Sequence, residues 1–404
     1  MRKIKTNLLN PVSAENVEFK KNIFLTLENG KITSIEAEFD GEFEDKTDLI
    51  CCPGFIDTHV HLSQFYIRGS HSPNLLHWLN TYTFQEEKRS RNEDYARKVA
   101  EDFFVDLVSK GTTTSVIYTA PFKPACDIAF QVAEEKKIRA IIGMTMMDME
   151  SPEYLQQKPL LAFDDSVDLF HKWNKKSDLL EYIFTPRFAL TCSSELMQIT
   201  GDFARNENAF IQTHLSENKE EIKRALELFP KYKSYTEIYA ETGILSPKTI
   251  LGHVIHVDEN ELQLLKETNS KIAHCPDSNF FLKSGMFSWQ KIKESEIDFA
   301  LASDVGGGSS LNMLNVMKMA AFRQNDLVVS PQELFYRGTL GAAKILGKEE
   351  IIGSIQPEKD ADLVFLKLSD FQKYNETELL SKLIYTHEDV EVVETLVQGK
   401  QVFK

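Results

Sequence analysis

A chain of 404 residues, 42% of them apolar, can bury a substantial core, and its intermixed charges exclude a disordered or low-complexity protein. A formal net charge of −15 and a pI near 5.2 exclude the basic face that a nucleic-acid backbone or an anionic membrane requires, which leaves a small-molecule partner. No apolar run is long enough to span a bilayer, no signal argues for export, and five cysteines without a CxxC pair read as reduced core thiols of a cytoplasmic protein.

In chain order, "NIFLTLENGKITSIEAEF" reads as a β-hairpin turning at Asn29-Gly30. The middle of the chain then alternates strand and helix. Short apolar or β-branched runs predict strands at 51–57, 112–119, 138–146, 180–188, 208–216, 248–255, 271–276 and 298–305. Between them, "NEDYARKVAEDFFVDLVSKG" predicts a helix. Ala96, Val99, Ala100, Phe103, Phe104 and Leu107 form one stripe, with Asn92 as N-cap and Gly111 at the end. "DENELQLLKET" predicts another, capped by Asp258. The tail, "DADLVFLKL" and "VEVVETLVQGKQVFK", returns to strands with Gly399-Lys400 as the expected turn.

Two β-rich ends bracketing an α/β middle predict two units. Residues 1–52 plus 355–404 form a small β-sandwich domain, and residues 53–354 form a (β/α)8 TIM-like barrel. A doubly wound open sheet fits the same alternation, so periodicity alone leaves both open. Two connections are long, 62–92 and 147–179, and in a barrel both lie at the mouth where long loops carry function. "LLHWLNTYTF" in the first reads either as a pocket wall or as a short rim helix.

The chain has ten histidines, and five fall at the C-terminal ends of predicted strands: His59 and His61, His214, His253 and His274. Asp304 ends the eighth strand before three glycines. Residues at i and i+2 of a strand share a face, so the two imidazoles of "HVH" suit a shared ligand. In a barrel these strand ends converge on one point. Several imidazoles and one carboxylate suit Zn²⁺, one per chain, or less selectively Fe²⁺. His274, His256, His71 and His77 are read as packing or surface residues.

This pattern, "PGFIDTHVH", a His on strand five, another on strand six and an Asp on strand eight, resembles the amidohydrolase superfamily. Strand four offers no Lys placed for a two-metal site, so the resemblance is to its one-metal members. Within that group "HLSQ", "TPRFALTCS", "THLSEN", "AHCPDSN" and "SDVGGG" resemble the guanine deaminases, over residues 50–345 above all.

The resemblance implies zinc-dependent hydrolysis of guanine to xanthine and ammonia. His59, His61, His214 and Asp304 are then the metal ligands, with Glu217 as proton shuttle and Asp304 sharing that role. His253 hydrogen-bonds rather than ligates, and Gln64, Arg187 and Phe188 bind the ring beside His214, Glu217, His253 and Asp304. Oligomeric state is not readable from the sequence, and only the resemblance points to a homodimer. The alternatives are deamination of another purine, a pterin or a triazine by the same metal set, and a barrel that has become a non-catalytic binding module.

Overall fold

Eight parallel strands follow one another around a ring in chain order: Phe55–His61, Thr112–Thr119, Arg139–Met146, Leu180–Pro186, Phe210–Leu215, Thr249–His253, Lys271–His274 and Phe299–Leu301. The computed structural model describes residues 1–325 and 327–404. Every strand pairs with its predecessor in sequence, with no point at which the order reverses. This decides for the barrel against the doubly wound sheet. The ring closes where the Asp304 N–H donates to the His59 carbonyl at 2.9 Å and the His61 N–H donates to the Val305 carbonyl at 2.6 Å.

The floor of the barrel is apolar. Ile56, Val116, Ile141, Ile183, Phe210 and Ile250 fill it, and Ala342 and Ile345 of helix Leu340–Ile345 plug it from below. Functional groups can therefore gather only at the other end. The helix Glu93–Ser109 forms as its pattern requires. Asn92 Oδ1 accepts the Tyr95 N–H at 2.9 Å, and the stripe from Ala96 to Leu107 is buried. Gly111 leaves the last turn at φ +82°. Burying Phe103 and Phe104 completely contributes on the order of 1.5–3 kcal/mol each.

The two termini build a second, seven-stranded sheet, with four strands from the N-terminal end and three from the C-terminal end. The Asn29-Gly30 turn is present, with φ +51° and +83° and Glu28 paired to Lys31. Arg139 ties the sheet to the barrel through buried bonds to Asp362 Oδ2 at 2.9 Å and Asp360 Oδ2 at 2.7 Å. No helix among the described residues is long and apolar enough to cross a membrane.

Several expectations need correction. The predicted strand 51–57 is two strands: Glu44–Pro53 belongs to the terminal sheet and Phe55–His61 to the barrel. The chain crosses between them at Gly54, where a Cβ would lie 2.2 Å from the Thr113 side chain. The last turn is Gln398-Gly399, one residue earlier than expected. Val397 pairs with Lys400, and both turn residues hold positive φ, which leaves Lys400 in the strand.

The eighth strand stops at Leu301. Beyond it the Ser303 N–H turns to Asp57 Oδ1 and Asp304 adopts φ +48°, so the ladder cannot continue. Nearly half of 147–179 is the regular helix Pro159–Trp173, and no residue of this stretch lines the central cavity. The C-terminal segment also holds a helix, Glu376–Tyr385, with a capping box between Asn375 and Glu378.

Candidate active site and metal centre

His59 and His61 lie on one face of the first strand, as their spacing requires, with Nε2 atoms 3.2 Å apart. His214 Nε2 lies 3.2 Å from that of His61, and Asp304 Oδ1 lies 3.3 Å from both His59 Nε2 and His61 Nε2. Four tetrahedral donors around an ion with bonds of about 2.0–2.1 Å stand about 3.3 Å apart, so these four edges fit a first-row metal ion. Each candidate ligand has a reason to be there. The two bonds that close the barrel fix the backbones of His59, His61 and Asp304. His214 donates from Nδ1 to the Arg187 carbonyl at 2.8 Å, which leaves its Nε2 lone pair for the cluster.

The charge states suit a cation. Burial, and then neighbouring positive groups including His59, push His61 down to about 3, with Asp304 opposing. Burial and the neighbouring imidazoles also hold His214 well below its ordinary value. Burial pushes Asp304 up, but bonds to His59 and His61 outweigh it and hold the carboxyl well below the usual range. Neutral imidazoles beside an ionised carboxylate are a donor set ready for a metal ion.

Glu217 and His253 stand beside this cluster. Ser284 Oγ donates to Glu217 Oε1 at 2.6 Å, and Glu217 Oε2 lies 3.4 Å from His253 Nε2. His253 donates from Nδ1 to Asn279 Oδ1 at 2.8 Å, and its Nε2 lies 3.8 Å from Asp304 Oδ2. Burial and the Asp304 charge push Glu217 up to about 8. It is not a helix-end carboxylate: helix Lys219–Leu228 is capped by Asn218, and the Glu217 side chain points into the barrel mouth. Ser216, His253, Val254 and Asp304 all hold positive φ, between +48° and +70°, so strained backbone encircles the site.

A pocket at the barrel mouth opens onto the cluster. His61, His214, His253, Glu217 and Asp304 form its polar end, Gln64 and Arg187 one side, and Phe188, Leu75, Trp78 and Leu79 much of the rest. "LLHWLNTYTF" is thus both a short helix, Leu75–Trp78, and a wall of the pocket. Arg187, one residue past the fourth strand, is 3% exposed and paired with Glu87 at 2.8 Å. Every candidate residue from the sequence meets in this one place.

Four further histidines weighed in the sequence stay outside. His274 is buried and stacked on Phe287 at 4.1 Å, and neither ring nitrogen has a partner among the described residues. His256 donates to the Ser284 carbonyl at 2.8 Å and so supports the loop that carries Ser284. His71 and His77 are exposed.

Sequence reasoning missed Ser284, Asn279, Glu87 and Tyr118. Tyr118 is wholly buried, with its ring 4.5–5.0 Å from the rings of His59, His61 and His214. None carries a local signal beyond "AHCPDSN" for Asn279. Their roles follow from neighbours distant in sequence. His59, His253, Cys275 and Asp304 also offer donor atoms within 4.8 Å of one another, but burial raises the Cys275 thiol well above its ordinary value, and its Sγ faces the Ala273 carbonyl at 3.5 Å.

The model of the amidohydrolase family matches residues 50–402. The guanine deaminase of Escherichia coli K12 is 32% identical over 97% of this chain and 93% of that protein. The guanine deaminase of Rattus norvegicus is 31% identical over 87% of this chain and 82% of that protein. Among solved structures, the guanine deaminase of C. acetobutylicum with guanine bound in its active site superposes with a TM-score of 0.95 at 30% identity, over the whole of both chains.

Proposed function

The chain belongs to the amidohydrolase family, and within it to the guanine deaminases, and from this premise we propose that it hydrolyses guanine to xanthine and ammonia. What supports the reading most directly is the position of Glu217, a buried carboxyl with one oxygen held by Ser284 and the other 3.4 Å from His253 Nε2, beside the converging metal-donor atoms.

His59, His61, His214 and Asp304 would hold one divalent ion. Three imidazoles and a carboxylate suit zinc, with iron(II) as the alternative. When bound, such an ion supplies a hydroxide nucleophile at neutral pH by lowering the pKa of water to about 7. The protein side chains do the rest. Glu217 takes one proton of the attacking water and gives it to a ring nitrogen as the C2–O bond forms, then takes the second from the C2 hydroxyl and delivers it to the exocyclic amine, which leaves C2 as ammonia while the C2=O bond forms. Asp304 shares in this transfer through Oδ2. His253, oriented by Asn279, presents Nε2 to Glu217 and to the substrate. Arg187 donates to a ring carbonyl such as O6, Gln64 meets the ring edge through its amide, and Phe188 with Trp78 covers the ring faces and excludes water.

We also propose the division into 1–52 with 355–404 and 53–354 as the two structural units. A cytoplasmic setting, where the five buried thiols stay reduced, and a homodimer, to be read by light scattering, complete the proposal.

The test is an ultraviolet assay of guanine conversion with ammonia release, on protein of determined metal content. Turnover that is lost in Glu217→Gln with the metal retained supports both the reaction and the shuttle. Metal-loaded protein that leaves guanine untouched overturns the reading.

A further inference from the structure

Gln64 has a donor end and an acceptor end, and whichever meets the ring decides which rings the cavity accepts. Its Nε2 donates to Glu87 Oε1 at 2.9 Å, with both side chains buried. A carboxylate has no hydrogen to give. The amide is therefore locked with its nitrogen toward Glu87, and its Oε1, without a hydrogen bond among the described residues, is left for the cavity. Glu87 also accepts from Arg187 Nη1 through both oxygens, at 2.8 and 2.9 Å. Phe84, three residues earlier on the same short helix, sets its ring 5.6 Å from the guanidinium. Glu87 is 1% exposed and forms no part of the cavity wall, so whatever it does at the site it does through these two side chains.

We propose that Glu87 is the positioning residue that makes the cavity select a lactam edge, –C(=O)–NH–, by fixing Arg187 as a donor and Gln64 as an acceptor. This rests on the guanine-deaminating function above. Guanine offers O6 to Arg187 and its N1–H to Gln64. A ring with an amine at C6 offers the reverse, an N–H₂ against the guanidinium and a bare ring nitrogen against the amide oxygen. Both pairs then fail, and each leaves buried polar atoms without partners.

The test compares kcat/KM for guanine and for 2,6-diaminopurine, which carries the same reactive 2-amino group on an amidine edge. The unmodified enzyme should prefer guanine by about 100-fold or more. Glu87→Gln frees the Gln64 amide to turn over. It should lower kcat/KM for guanine by about 10- to 100-fold, chiefly through KM, and narrow the preference at least about tenfold with metal content unchanged. Gln64→Glu sets two carboxylates against each other and should lose the preference likewise.

In the double variant Q64E/E87Q the amide at position 87 donates to the carboxylate at position 64 and still accepts from Arg187. An acceptor again faces the ring, and the charge of the cluster is unchanged. Guanine preference should return to within about tenfold of the unmodified enzyme. This swap decides the matter even where a single variant does not fold, and a merely structural role for Glu87 would not produce the rescue. An unchanged preference in folded Glu87→Gln, or a folded, metal-loaded double variant without recovery, overturns the inference alone. Absence of guanine turnover in the unmodified, metal-loaded enzyme defeats it together with the proposed function.

Discussion

Ser284→Ala removes one hydroxyl from a buried site and leaves every metal donor in place. Its Oγ donates to Glu217 Oε1 at 2.6 Å, both residues are under 5% exposed, and this is the one hydrogen bond among the described residues that reaches the carboxyl, whose Oε2 stands 3.4 Å from His253 Nε2. A hydrogen bond to a charged group contributes about 1.5–3 kcal/mol, which corresponds to about 10- to 150-fold in rate where the bond orients the shuttle during proton transfer. The same energy fixes a pH shift. Ser284 donates to the ionised form and so lowers the Glu217 pKa against the upward push of burial. Removing the donor favours the protonated form, so the acid limb of kcat should move to higher pH, by about one to two units. The assay is steady-state guanine turnover from pH 5 to 9, with metal content measured on each preparation. A variant with the metal retained, the original kcat and an unmoved acid limb would refute the assignment of Glu217 as the group whose ionisation governs the rate.

Stripping the metal with a chelator should abolish turnover, and stoichiometric zinc should restore it. His61→Ala should lower metal content, which elemental analysis reads directly, because His61 Nε2 borders three of the other donors. Arg139→Ala leaves Asp360 and Asp362 buried without their cation and should cost about 3–5 kcal/mol of stability. A lower urea midpoint with near-normal kcat at 25 °C is expected, since the trio lies at the sheet–barrel junction, and an unchanged midpoint would count against that role. Burial raises Cys126 and Cys192 to about 12, so at pH 7.5 the thiolate fraction is on the order of 10⁻⁴ or less. Native protein should react with no equivalent of a thiol reagent within minutes, and denatured protein with five.

Much of this was legible along the chain because it rests on local chemistry. The stripe from Ala96 to Leu107, the Asn92 and Asp258 caps and the Asn29-Gly30 turn are set by residues within a few positions of one another, and each formed where expected. The convergence of the candidate ligands was legible for a related reason. A polar group that ends an apolar strand stands out, and parallel strands bring such ends together whatever the intervening helices contain. Boundaries were less readable. The apolar run through Pro53 continues across two sheets, and only the clash that a side chain at Gly54 would make with Thr113 marks the crossing. The helix Glu376–Tyr385 had its capping box in plain view, but the strands on either side dominated the reading of that segment.

The sequence by itself determined the alternation of strand and helix, the converging imidazoles with Asp304, and the family that this pattern resembles. The tertiary structure alone decided that the alternation closes into a ring, because closure depends on bonds between residues more than 240 positions apart, such as His59 and Asp304. It alone decided that Ser284 holds Glu217 and that Glu87 holds Gln64 and Arg187. A ligand is marked by its own chemistry at the end of its own strand. A partner that orients it is an ordinary Ser or Glu on another element, and it acquires meaning only from the direction in which a buried donor points.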